Sequence, residues 1–297
     1  MDITVVLIES FERWLKTLGY AESTVYASTR YINDFFFYLK KAEITSIEVI
    51  EQITLTNYHK HLQTRSNRRQ AGGLSQNYIT SNINALKRFS KYLQETGKVT
   101  LEINIQPKAA TEETKTILTQ AEIQRLYKAC SNDLLGIRDR AILSIYYGCG
   151  LRRSEGANLN IEDVQLKEKL VHVRHGKGYK ERYVPITGTI KEDLENYIYV
   201  AREKIQSFKS DKQDPDASGL FLSMRAKRMH GNSIILRLQK LTNAARINKK
   251  DIGLHTLRHS IATHLLQSGM KLEEVSRFLG HASLESTQIY THLAHVE

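Results

Sequence analysis

Apolar residues recur at three- and four-residue spacing through most of the chain, and the pattern breaks at only a few polar, glycine-bearing stretches. The first stripe, Ile8, Phe11, Leu15 and Leu18, stops at Gly19 and predicts an opening amphipathic helix. A second helix is predicted after Ser23 with Tyr31, Phe35, Tyr38 and Leu39, and two more over TLTNYHKHLQTR and YITSNINALKRFSKYLQ. Between these last two, SNRRQAGGLS is polar, basic and glycine-bearing, the composition of a loop.

The stretch NIQPKAATEETKTI carries no aromatic residue and is mostly polar, which marks it as an interdomain linker. The expected organisation is therefore a helical domain over 1–105, a linker over 106–117 and a second domain over 118–297. The second domain opens with Thr119 three residues before Glu122, the spacing of a capping box. Helical patterning continues through RDRAILSIYYGCGLRRSE. LVHVRHGKGYKERYVPIT then alternates apolar and polar residues on both sides of Gly176 and Gly178, as a β-hairpin does. Helical spacing returns in KEDLENYIYVAREKI, NSIILRLQKLTNAARI, HTLRHSIATHLLQSG and LEEVSRFLG. The fold class is mainly α with a small antiparallel sheet, that is, α+β.

Charge narrows the set of partners. Lys and Arg number 43 against 32 Asp and Glu, a formal net charge of +11, which favours a polyanion such as nucleic acid. No apolar stretch approaches the ~20 residues of a spanning helix, so no membrane role is expected. The N-terminal MDITVVLIESFERWLK has no basic leader before its short apolar run and does not read as a signal peptide; a cytoplasmic location is expected. Cys130 and Cys149 lie in no CxxC pair and read as core thiols.

Several polar groups stand apart from the apolar stripes. His255 and Arg258 lie three apart and so share a helix face, either as a solvated basic end or as part of a site. His264 reads as a core or boundary histidine. His259 lies four after His255, but the HExxH glutamate and a third ligand are missing, so no metal is assigned. In GLRRSE, Arg152 with Glu155 reads as a surface ion pair or as an arginine held to grip phosphate. HGKGYKERYVP places Lys177 between glycines and flanks it with Arg174, His175, Lys180 and Arg182, a cationic finger suited to a phosphate backbone. Arg65, Arg68, Arg69, Lys87, Arg88 and Lys91 read equally as phosphate contacts or as solvated helix faces. In LGHASLESTQIYTHL, Gly280 is a helix stop and Ser283 an N-cap, so the chain turns back between His281 and Tyr290. On one straight helix the two would lie about 13 Å apart on opposite faces.

Arg152, Lys177, His255, Arg258, His281 and Tyr290, in this order and in the contexts GLRRSE, GKGYKER, HTLRH, LGH and IYTHL, resemble the tyrosine recombinase (phage integrase and Xer-like) family. The resemblance covers about 117–293 and, less specifically, extends to the N-terminal half as that family's core-binding domain. It implies two domains clamped around double-stranded DNA. It also implies a site-specific recombinase that cleaves and rejoins DNA in integration, excision, inversion or dimer resolution, working as a homo-tetramer on two duplexes without a cofactor. By the same resemblance Tyr290 attacks the scissile phosphodiester and forms a 3′-phosphotyrosyl link, and Arg152, Arg258 and His281 stabilise the developing charge. Lys177 protonates the leaving 5′-oxygen, and Glu155 orients either Arg152 or the proton network. An unperturbed tyrosine is about 0.1% ionised at pH 7, a deficit of roughly 4 kcal/mol, so a proton acceptor is needed and His255 is the candidate. Two other readings share the scaffold: a DNA-binding regulator without cleavage, and a type IB topoisomerase-like relaxase that rejoins the same strands. Seven residues, THLAHVE, follow Tyr290, whereas Xer-like members usually extend into a further helix that docks on the neighbouring protomer; protomer contacts are expected to come from elsewhere or to be weaker.

Overall fold

The computed structural model describes residues 3–67, 71–105, 116–174, 181–208 and 218–280. The chain separates into two compact units, Met1–Glu113 and Thr114–Glu297, each with its own apolar core. Residues 106–115 of the expected linker lie outside the described residues.

Unit 1 contains α1 (Ile3–Thr17), α2 (Glu22–Lys41), α3 (Gln52–Thr64) and α4 (Gln76–Glu95). Its core is aromatic: Phe11 meets Phe89 edge-on at 5.2 Å between ring centroids, and Phe35 meets Tyr58 in the same way at 4.9 Å. The buried Tyr58 hydroxyl donates to Asn82 Oδ1 at 3.2 Å, which keeps two polar atoms satisfied inside an apolar cluster. Ile8, Phe11 and Leu15 are buried as the stripe predicts, but Leu18 is 51 % exposed. The helix ends at Thr17 and the chain leaves it through Gly19 at φ 72°, so Leu18 no longer follows the helical face. Leu7 is buried with the stripe instead. The second helix begins at Glu22, slightly ahead of the expected start after Ser23.

Unit 2 opens with the expected capping box: Glu122 N–H donates to Thr119 Oγ1 at 3.2 Å and Thr119 N–H to Glu122 Oε2 at 2.7 Å. α5 (Gln120–Lys128) and α6 (Leu134–Leu143) follow, and α6 runs on into a wider π-type turn over Ser144–Gly148 that no periodicity announced. After α7 (Arg153–Asn158) come three antiparallel strands, β1 (Val164–Gln165), β2 (Leu170–Val173) and β3 (Arg182–Pro185), in the order β1-β2-β3. β2 and β3 are the predicted hairpin, with Val171 opposite Val184; the short β1 is an addition. Val171, Val173 and Val184 face the core. α8 (Gly188–Asn196), α9 (Glu203–Ser207), α10 (Gly231–Ala244), α11 (Leu254–Gln267) and α12 (Leu272–Leu279) complete the unit. Among the described residues no helix is long and apolar enough to cross a membrane. Cys130 and Cys149 are both buried in the core, and burial pushes both thiols up to about 12.

Trp14 is the only tryptophan in the chain, and its ring lies 5.8 Å from that of Tyr92, so its fluorescence follows unit 1. Phe89→Ala removes a fully buried ring from this cluster and is expected to lower the stability reported by Trp14 in urea by about 3–5 kcal/mol. A loss below about 1 kcal/mol would show that the cluster does not hold this unit.

Candidate active site

α11 places Arg258 three residues after His255. Leu254 and Leu257 anchor that helix turn in the core, and Arg258 itself is 3 % exposed, so it is not a solvated helix end. Its guanidinium donates to Gly150 O through Nη1 and to Leu279 O through Nη2, the latter at 2.7 Å. Arg152 lies just before α7. Its Nη1 donates to Glu155 Oε1 at 2.6 Å and its Nη2 to Gly280 O at 2.8 Å. Glu155 Oε2 also accepts the backbone N–H of Arg152 at 2.9 Å. The same carboxylate therefore caps the first turn of α7 and orients the arginine that precedes it.

Glu155 has further partners. Arg182 Nη2 donates to Oε2 at 2.9 Å and Nη1 to Oε1 at 3.2 Å, a forked pair, while Arg258 Nη1 stands 3.9 Å from Oε2. Burial alone would raise the carboxyl. The bonds and charge of Arg182, followed by those of Arg152, outweigh burial and hold the group at about 2. Three guanidiniums against one carboxylate leave two positive charges in surplus in this cluster. His255 is exposed as a residue, yet its surroundings remove part of the water from its imidazole. That desolvation, with the charges of Arg258, Arg152 and Arg153, moves its pKa below 6.5 and favours the neutral ring at pH 7.

Two glycines make the geometry possible. Gly280 ends α12 in the left-handed conformation, φ 65°, and a Cβ there would meet Arg182 Cδ at 2.8 Å. Gly150 is also left-handed, φ 61°, and a Cβ would meet Leu279 Cδ2 at 2.8 Å. The backbone before Arg152 can thus approach the last turn of α12.

The structure brings together Arg152, Glu155, His255 and Arg258. Lys177, Lys180, His281, Tyr290, Arg68 and Arg69 lie outside the described residues. Two residues of the expected cationic finger are described, and the expectation is corrected at Arg182. Arg174 is ion-paired with Glu162 at 2.7 Å and with Asp163. Arg182 turns inward, because it shares a strand face with the buried Val184 while Tyr183 and Pro185 face out. Its place beside Glu155 was overlooked in the sequence, although strand parity carried the signal. His264 is buried as expected, its Nδ1 2.9 Å from the Tyr147 hydroxyl. In unit 1, Arg65 pairs with Asp34 at 3.3 Å and Lys91 with Glu95 at 3.6 Å. Arg88 Nη1 donates to Ser28 Oγ at 3.4 Å, and Lys87 is exposed.

A mostly helical unit that gathers a buried arginine, a carboxylate-held arginine and a neutral histidine at one helix end has the makings of a phosphoryl-transfer site of the tyrosine recombinase class. The family model described as the phage integrase family matches residues 116–297, and the chain belongs to that family. It is 37% identical over 228 residues to the tyrosine recombinase XerC of Thermodesulfovibrio yellowstonii, covering 74% of this chain and 73% of that protein. It is 32% identical over 289 residues to the tyrosine recombinase XerD of Oceanobacillus iheyensis, covering 96% and 93%. Its fold is similar to that of the XerH site-specific recombinase bound to palindromic difH substrate, with a TM-score of 0.74, 21% identity and coverage of 99% and 93%.

The depressed Glu155 carboxyl has a signed consequence for stability. Its contribution is full above the ordinary value of 4.5 and is lost as pH falls from there through about 2. Glu155→Gln should abolish that acid-range slope in unfolding experiments and, by leaving buried guanidiniums underpaired, lower stability at pH 7 by on the order of 3 kcal/mol. An unchanged slope between pH 4.5 and 2 would contradict the ion-pair account.

Proposed function

We infer that this protein is a site-specific DNA recombinase that breaks and rejoins strands through a phosphotyrosyl intermediate. The observation that carries the reading is the convergence of Arg152 and Arg258 on Gly280 O and Leu279 O, directly before His281 in the chain. In the proposed step the Tyr290 hydroxyl oxygen bonds to phosphorus while the bond to the 5′-oxygen breaks. The phenolic proton goes to His255, and the leaving oxygen takes one from Lys177. The phosphodiester carries one negative charge in the ground state and approaches two in the pentavalent transition state. Arg152, whose side chain is 20 % exposed, is suited to hydrogen-bond the nonbridging oxygens, whereas Arg258, at 4 %, adds charge from beneath. His281 is proposed to donate a further hydrogen bond to the same oxygens. The phosphotyrosyl ester conserves the energy of the broken bond, so an incoming 5′-hydroxyl from another duplex can reseal the strand.

The basic balance of the chain and the DNA-bound complexes of its structural neighbours support double-stranded DNA as the substrate. Unit 1 is proposed as the core-binding domain, with 106–117 as the linker and 118–297 as the catalytic domain. Exchange between two duplexes requires cuts in four strands, and one nucleophilic tyrosine per chain therefore implies four protomers in the active assembly. We place this assembly in the cytoplasm, acting on chromosomal or mobile-element sites.

Tyr290→Phe should bind a nicked suicide substrate carrying the cognate site as the wild type does and form no covalent adduct. Adducts persisting in that variant would remove Tyr290 as nucleophile. With His255 as base, single-turnover cleavage should fall as pH drops, because protonation removes the acceptor, with a midpoint below 6.5. A midpoint above 6.5 would contradict that role. Mass photometry of the protein on paired sites should show four protomers per synapse, and a complex active with two would refute the tetramer.

A further inference from the structure

The C-terminal carbonyls of a helix have no intrahelical donors and carry the negative end of its dipole, so they must find partners elsewhere. At the C-terminal end of α12 three successive carbonyls are met by three arginines, one from β3, one from α11 and one just before α7. Phe278 O accepts from Arg182 Nε at 3.4 Å, Leu279 O from Arg258 Nη2 at 2.7 Å, and Gly280 O from Arg152 Nη2 at 2.8 Å. Two of these are the arginines assigned above to the scissile phosphate. The third comes from β3, has a side chain only 12 % exposed, and forks onto the two oxygens of Glu155, the carboxylate that orients Arg152. Arg182 also lies against the Cα of Gly280, where a Cβ would come within 2.9 Å of its Cζ and Nε.

We propose that Arg182 is a positioning residue for strand cleavage: from the inner face of β3 it fixes both the carboxylate that aims Arg152 and the end of α12 from which the chain enters His281. This rests on the reading of Arg152 as a phosphate-binding arginine. Loss of Arg182 leaves Glu155 with a free side, lets Arg152 pivot, and removes a donor from the helix end. A displacement of about 1 Å at such a site costs on the order of a hundredfold in rate. Lysine keeps the charge but not the fork and should restore only part of the loss.

The test is single-turnover cleavage by the full chain on two suicide substrates, one with a normal scissile phosphodiester and one with a neutral methylphosphonate, whose transition state carries one negative charge fewer. Arg182→Met is expected to cleave the phosphodiester about a hundredfold more slowly than wild type, with Arg182→Lys between the two. On the methylphosphonate the deficit of Arg182→Met should shrink to a few-fold, in parallel with Arg152→Ala. Both rates are taken on one preparation, so a reduced folded fraction would depress them equally and could not imitate the rescue. Cleavage of the phosphodiester by Arg182→Met within about threefold of wild type, or an equal deficit on both substrates, overturns the proposal. If Arg152→Ala shows no deficit on the phosphodiester, the assignment of Arg152 fails as well; if wild type forms no adduct on either substrate, the recombinase reading itself fails.

Discussion

The candidate site of unit 2 depends on one buried carboxylate. Glu155 stands against Arg152 and Arg182 within hydrogen-bonding distance and near Arg258, and without it three guanidiniums would face one another in a poorly hydrated space. Pairing of this kind contributes little net stability by itself, since desolvation of the charges consumes much of the attraction. What it supplies is geometry. A carboxylate with several fixed donors cannot turn, and the arginines bound to it cannot turn either.

The helix end at Gly280 supplies the second half of that constraint. Its carbonyls take up donors that the carboxylate leaves over, so each arginine is held between a full negative charge and a helix C-terminus. The surplus positive charge remains, and in the proposed step it meets a phosphate that gains charge as it reacts. The left-handed glycines at 150 and 280 allow the two backbone segments to approach closely enough for this arrangement. Chemistry proposed for the family's residues thus rests on main-chain atoms that no motif names.

Most helices were legible because their apolar faces repeat at helical spacing, and the hairpin was legible because its strands alternate. The capping box at Thr119 and the helix stop at Gly280 were also local signals, read from a few adjacent residues. Leu18 was misread because the helix ends one residue earlier, and the π-type turn at Ser144–Gly148 leaves no periodic trace. The pairing of Arg152 with Glu155 was visible three residues apart. The involvement of Arg182, Phe278 and Leu279 was not, because these contacts join segments far apart in sequence and exist only after the unit has packed. The residues beside Arg182 in sequence are basic, and only its parity with Val184 marks it as turned inward.

Direct mapping of the covalent bond tests whether DNA becomes bonded to Tyr290. The protein trapped on a nicked cognate site would be digested with nuclease and trypsin, which releases residues 278–297 after Arg277, and the peptide fragmented by mass spectrometry. A residual nucleotide is expected on Tyr290, the single tyrosine of that peptide. A nucleotide on Ser283, Ser286, Thr287 or Thr291, or on any peptide from elsewhere in the chain, would contradict it.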